Sequence, residues 1–165
     1  MERISSGAST SREISTSPEN EINFTIRKCR VEDLDQILEI EKTSFPNPYD
    51  RSLFTHFLTE GASGFLVAEK EGRIIGYLIF TNQRKLGTIV SIAVSPEYRR
   101  RGVGRRLLGA ALNQLSSKAN IVELQVSAKN EDAIEFYRKF SFRQTAILRM
   151  YYPNGEDAIL MSRKF

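Results

Sequence analysis

An α/β sandwich around one mixed sheet is the fold this sequence predicts. Three observations predict it. Short apolar segments of strand length recur along the chain, some alternating with polar residues. They trade places with segments whose apolar residues fall three and four apart, the spacing of one helix face. Glycine, proline and asparagine stand at the joints.

Taken in order, FTIRKC (24–29) alternates as a first strand. Val31, Leu34, Ile37, Leu38 and Glu41 then fall at helical spacing, with acids in the first turn. FPNPY (45–49) ends that helix with two prolines. Asp50 is placed to cap a second helix, whose apolar face is Leu53, Phe54, Phe57 and Leu58 and which Gly61 ends. GFLVAEK, then EG, then RIIGYLIFTNQ reads as a hairpin. A longer apolar strand, LGTIVSIAVSP (86–96), runs into the stretch SPEYRRRGVGRRLL. The helix that follows carries Val103, Leu107, Leu108, Ala111 and Leu115 on one face. IVELQVSA (121–128) is a strand, and NEDAIEFYRKF (130–140) a short helix with Ala133, Ile134, Phe136 and Tyr137. Two last strands, near FRQTAILRMYY and DAILMSRKF, flank the turn PNGE. Residues 1–22 are rich in Ser, Thr, Glu and Arg, with few apolar residues to bury, and predict a flexible tail before one domain at 23–165.

The chain is 41% hydrophobic and 27% charged, which is ordinary globular composition. Its formal charge of +4 suits an anionic ligand as well as nucleic acid. The single cysteine, Cys29, has no partner in the chain for a disulfide, which points to a reducing interior compartment. No apolar run approaches the roughly 18 residues of a membrane span, and the N-terminus lacks a signal-peptide core, so a cytoplasmic protein with no membrane role is expected. His56 and Cys29 are the only residues of their types and lie far apart in sequence, which argues against a structural metal site. His56 lies opposite the apolar face of its helix and reads as a surface residue.

The cluster of Arg99, Arg100, Arg101, Arg105 and Arg106 surrounds Gly102 and Gly104 between a strand and a helix. Glycine lets the backbone turn sharply and approach a ligand. The new helix offers unpaired N–H groups and the positive end of its dipole. Together they predict a site for one or two phosphates. A nucleic-acid surface would more often spread charge along a groove among stacking aromatics, and here only Tyr98 is adjacent. For Arg105 and Arg106 a solvated charge run is an equal reading.

Strand, R-x-x-G-x-G (Arg99, Gly102, Gly104) and helix together resemble the coenzyme A pyrophosphate loop of the GNAT N-acetyltransferase superfamily. N-x-x-A-x-x-x-Y at Asn130, Ala133 and Tyr137 resembles the second cofactor segment of that family. YYPNGEDAILM (151–161) and F-P-x-x-Y at Phe45, Pro46 and Tyr49 are similar to protein N-terminal acetyltransferases, both the bacterial RimI type and archaeal or eukaryotic catalytic subunits. The resemblance covers residues 23–165. It implies the GNAT fold, a mixed and largely antiparallel sheet of six or seven strands, splayed at its two central strands, with helices on both faces. It implies acetyl-CoA as cofactor and a protein or peptide N-terminus as substrate. A ribosome or an auxiliary subunit is a further partner it suggests.

On the same resemblance, backbone groups of Ile92, Ala93 and Val94 hold the pantetheine arm, and Arg99, Arg100, Arg101, Gly102, Val103, Gly104 and Arg105 hold the pyrophosphate. Asn130 and Ala133 border the cofactor, and Tyr137 protonates the departing thiolate, although Tyr137 also falls on an apolar stripe and reads equally as a core tyrosine without the family. Phe45, Tyr49, Tyr151 and Tyr152 border the substrate.

The base is where this chain departs from its relatives. RimI-type enzymes carry a glutamate in an L-E-V setting, where this chain has Leu124-Gln125-Val126. Others carry it within L-P-E-N-Y, where this chain has Asn47. A tyrosine used by a third group is replaced by Thr88. None of these side chains takes a proton near neutrality, but each can hold a water. An α-amine with a pKa of about 7.7–8.0 is roughly 10–17% neutral at pH 7, a lysine near 10.4 only about 0.04%. Such a site predicts a preference for N-termini over lysine side chains. The readings left standing beside it are a GNAT acting on lysine or a small amine, and a degenerate binding protein that uses Arg99–Arg106 for nucleic acid or an acidic partner.

Overall fold

The computed structural model of the protein describes Arg3–Ile4 and residues 22–165. Except for Arg3–Ile4, residues 1–21 lie outside the described residues, and with them most of the expected tail. The strands in chain order are β1 (Arg3–Ile4), β2 (Thr25–Lys28), β3 (Gly64–Lys70), β4 (Arg73–Gln83), β5 (Leu86–Val94), β6 (Ile121–Ser127), β7 (Arg143–Leu148) and β8 (Ala158–Lys164). The helices are α1 (Leu34–Ser44), α2 (Arg51–His56), α3 (Val103–Leu115) and α4 (Glu131–Lys139). They form one sheet in the order β2-β3-β4-β5-β6-β8-β7, with β1 paired beside β5. Along that path only β5 and β6 run parallel.

Alternation on the strands sorts the core into two clusters. Ile75, Leu78 and Phe80 of β4 join Leu107, Leu108 and Ala111 of α3 and Ala133 and Tyr137 of α4. Ile74, Tyr77 and Ile79 of the same strand join Leu34 and Ile37 of α1 and Phe54 of α2. A strand buried on both sides must be a near-continuous apolar run, and IIGYLIF (74–80) is. The stripe predicted for α3 is buried at every position named for it. Val31 departs from its predicted face: it opens a 3₁₀ turn ahead of α1 and is 61% exposed. The second helix is shorter than its pattern suggests, because Phe57–Gly61 widen into a π-helical turn. Asp50 caps α2 as its position predicts, its Oδ1 accepting the Leu53 N–H at 3.0 Å.

Two features shape the middle of the sheet. β5 and β6 pair only from Leu86↔Ile121 to Thr88↔Glu123, although β5 continues to Val94 and β6 to Ser127. Beyond Thr88 the two strands part. Opposite β4, Ile79 faces Ser91 and Phe80 faces Ile89, so Val90 is an extra residue in β5. Such a bulge bends its strand and increases local twist, which turns β5 away from β6.

Candidate active site

The parted strands leave one edge of β5 unpaired by β6 from Ile89 to Val94, the stretch that contains Ile92, Ala93 and Val94. Among the described residues, that edge meets only β1, which runs parallel to it with Arg3 opposite Ser91 and Ile4 opposite Ile92. Backbone N–H and C=O groups on an open strand edge are a template for an extended ligand. Ile92, Ala93 and Val94 have no exposed side-chain surface to speak of, so what they offer a ligand is backbone.

At the end of β5 the chain makes a 3₁₀ turn, Pro96–Tyr98, and then enters α3 through Gly102, whose φ of 82° and ψ of 4° are left-handed. A Cβ built there meets nothing within 4 Å, so glycine serves the backbone conformation and not a tight contact. Arg100 is also left-handed, with φ of 64°. The Arg106 N–H is the first to find an acceptor in the helix, Gly102 O at 3.1 Å, so the amides before it face outward unpaired by the helix. Around them Arg100, Arg101 and Arg105 are exposed.

The other two arginines of the cluster are tied to the protein, Arg99 half-buried and Arg106 exposed. Arg99 Nε–H donates to Val94 O at 3.0 Å, and its guanidinium reaches Ser44 Oγ at 3.3 Å. Partial burial lowers its pKa below the ordinary arginine value. Arg106 donates to Phe24 O at 2.8 Å and stacks over the Phe24 ring at 4.0 Å. Four of the five face solvent and Arg99 is half-buried, but Arg99 and Arg106 are anchored on backbone carbonyls, a division that linear sequence does not display.

Tyr137 of α4 is fully buried between Phe136 and Phe142, with ring centroids 5.1 and 5.8 Å away. Its hydroxyl has no hydrogen-bond partner among the described residues. Burial pushes the phenol pKa well above its ordinary value, so the proton stays on the oxygen. A buried donor without a partner is costly, and a thiolate arriving beside it is the kind of group it can serve. Asn130 caps α4, its Oδ1 accepting the Ala133 N–H at 3.1 Å, while Ala133 is buried under the helix.

The predicted base positions fall in three different places. Thr88 sits on the last rung before β5 and β6 part. Gln125 lies on β6 beyond that rung, and Tyr151 donates its hydroxyl to Gln125 Oε1 at 3.1 Å. Tyr151 and Tyr152 meet edge to face at 5.1 Å, so the turn before β8 is tied to the parted section of β6. Asn47 is exposed on the loop between α1 and α2. In the same loop Phe45 is buried, and Tyr49 packs its ring against Phe54 and Phe57. Tyr49 and the exposed His56 line a shallow cavity of about 500 Å³. The structure therefore brings Gln125, Tyr151 and Tyr152 together.

Sequence reasoning missed one polar residue beside this site. Glu41 was on the apolar stripe of α1, and it is fully buried. Its Oε1 accepts the Tyr49 N–H at 2.8 Å, and its Oε2 accepts the hydroxyl of Tyr77. Among the described residues no group of three metal-ligating side chains gathers, and no helix is long and apolar enough to cross a membrane.

The chain is similar to several known proteins. It is 37% identical to the N-alpha-acetyltransferase of Sulfolobus acidocaldarius over 91% of this chain and 98% of the relative. It is 30% identical to the ribosomal protein bS18-alanine N-acetyltransferase of Escherichia coli over 84% of this chain and 95% of the relative. The crystal structure of Ard1 from Thermoplasma volcanium superposes with a TM-score of 0.82 at 30% identity, covering 87% of this chain and 98% of that one. The acetyltransferase (GNAT) family model matches residues 34–142, which takes in the parted strands, the arginine loop and Tyr137. With the family model matching two thirds of the chain and a relative 37% identical over nearly all of its own length, the chain belongs to the GNAT acetyltransferase family, whose members transfer acyl groups from acetyl-CoA.

Proposed function

We propose that the protein transfers the acetyl group of acetyl-CoA to the α-amino group of protein N-termini. The observation that carries this reading is the bond from Tyr151 to Gln125, which ties a tyrosine pair to the parted part of β6. Aromatic side chains beside a parted strand suit the first residues of an extended peptide. Relatives named for N-alpha-acetylation and for acetylation of a ribosomal protein alanine support the same substrate class.

When bound, acetyl-CoA supplies the activated thioester. The chain's own residues do the rest. Backbone groups of Ile92, Ala93 and Val94 align the pantetheine arm as an added strand, and an N–H there polarises the thioester oxygen. The amides opening α3, with Arg100, Arg101 and Arg105, hold the pyrophosphate. Tyr137 holds a proton ready for the departing sulfur. Gln125, tied to Tyr151, orients polar groups and takes no proton itself. Phe45, Tyr49, Tyr151 and Tyr152 receive the peptide. Holding both reactants in one gap supplies much of the acceleration. Lone Cys29, free and buried, supports a cytoplasmic setting. A ribosome or auxiliary subunit as partner is the finer part of the proposal.

The test compares short peptides with free N-termini against peptides blocked at the N-terminus and carrying one lysine. The expected kcat/KM favours the free N-terminus by about 250- to 400-fold at pH 7, following the neutral fractions of the two amines. Equal rates would overturn the α-amine assignment.

A further inference from the structure

A buried carboxylate is expensive unless donors meet it, and one placed beside a reaction site needs a reason. Glu41, in the last turns of α1, has no exposed surface. Tyr77 of β4, equally buried, donates its hydroxyl to Glu41 Oε2, and the Tyr77 oxygen lies 3.0 Å from Ser91 Oγ. A carboxylate can only accept. The Tyr77 proton therefore points at Glu41, and the hydrogen in the Tyr77–Ser91 bond must come from Ser91. The line has one direction: Ser91 to Tyr77 to Glu41. At its head the remaining lone pairs of Ser91 can accept. Ser91 follows the bulge residue Val90, in the stretch of β5 that β6 has left.

We propose that this line takes the proton of the acceptor amine, so that Glu41 is the proton sink missing from positions 47, 88 and 125. The inference rests on the acetyl-transfer reading given above. The ammonium gives a proton to Ser91 Oγ, directly or through one water. Ser91 passes its own proton to Tyr77 Oη, and Tyr77 passes its own to Glu41 Oε2. One N–H bond is broken and one carboxyl O–H is made, while both hydroxyls are restored. A separated ammonium and carboxylate become a neutral amine and a neutral acid, and the amine is free to attack. Glu41 works through its neighbours and is a positioning residue for the proton, not a group in contact with substrate. Titratable groups facing it include Tyr77 from β4 and Tyr49 from the α1–α2 loop, with Cys29 in the same cluster. The cations at this end of α1 are Lys42 in its last turn, paired with Glu39, and Arg99, which reaches Ser44.

The experiment measures kcat/KM from pH 6.5 to 9.5 on a free N-terminal peptide with saturating acetyl-CoA, for the full chain and for Glu41→Gln, Tyr77→Phe and Ser91→Ala. Glu41→Gln keeps an acceptor for Tyr49 but cannot take a proton. Tyr77→Phe cuts the line while leaving Glu41 bonded to Tyr49. The neutral amine fraction of about 10–17% at pH 7 sets the size: a six- to tenfold loss there, closing to within about twofold at pH 9.5. A purely structural role would lower the rate by the same factor at every pH, or lower Tm alone, and parallel profiles for all three variants would overturn the proposal. Ser91→Ala is the smallest change and gives the same readout if the other two fail to fold. An inactive parent chain on N-terminal peptides would refute the substrate assignment and this inference with it; an active parent with parallel profiles would refute this inference alone.

Discussion

Arg99 and its three exposed neighbours make opposite predictions. Replacing Arg99 with Met keeps the aliphatic stem and removes the guanidinium, which bonds Val94 O at 3.0 Å and Ser44 Oγ at 3.3 Å. Hydrogen bonds from charged groups contribute about 1.5–3 kcal/mol each, and partial exposure puts the pair together in that range. For a chain of this size each kcal/mol moves Tm by about 2–4 °C, so Arg99→Met lowers Tm by about 3–12 °C. The triple change of Arg100, Arg101 and Arg105 to Gln removes only solvent-facing charge and stays within about 0.5 kcal/mol in stability. Its effect falls on the cofactor: coenzyme A binding weakens by about tenfold or more and loses much of its salt dependence. Differential scanning calorimetry and isothermal titration with coenzyme A at two salt concentrations read both effects. If Arg99→Met left Tm unchanged and abolished binding while the triple variant bound normally, the division of the cluster would be wrong.

Other outcomes follow from local features. Ser141 has φ of 66°, left-handed for a residue with a Cβ, so Ser141→Gly stabilises by about 0.5–1 kcal/mol, readable as a Tm rise of about 1–4 °C. Burial pushes the Cys29 thiol up to about 12, so a thiol reagent at pH 8 leaves the native chain unlabelled and labels it fully in denaturant. Arg27 holds the Asp33 carboxyl below the usual carboxylate range through bonds of 2.7 and 2.8 Å. With a depressed folded pKa, that stabilisation is complete above the unfolded value of about 3.9 and fades as pH falls through the folded one. Asp33→Asn is less stable at pH 7 and loses less on acidification below pH 4, as urea midpoints at each pH will show. Proline at both Arg3 and Ile4 removes the pairing to Ser91 and Ile92 and lowers KM for acetyl-CoA; an unchanged KM would mean β1 does not compete for that edge.

Much of this architecture was legible because the chain obeys simple periods. IIGYLIF and most of LGTIVSIAV are apolar because both faces are covered, and the α3 stripe is buried at each predicted position. The bulge at Val90 was not legible, since an extra residue in a continuous apolar run leaves no gap in the pattern. The arginine run looked uniform because the anchoring of Arg99 and Arg106 depends on Val94, Ser44 and Phe24, which are distant in sequence or in another element. Glu41 did leave a signal. A charged residue at an apolar stripe position is either an error in the stripe or a buried group with partners, and the partners here come from Tyr49 and Tyr77.

β1 has a practical corollary. One strand edge cannot host two guests, and the chain's own third and fourth residues already lie along the rung at Ser91 and Ile92. Any apparent affinity for the thioester is then net of evicting them. Purification tags fused upstream of Met1, or scars left by cleaving them, would shift that figure without touching a single catalytic side chain.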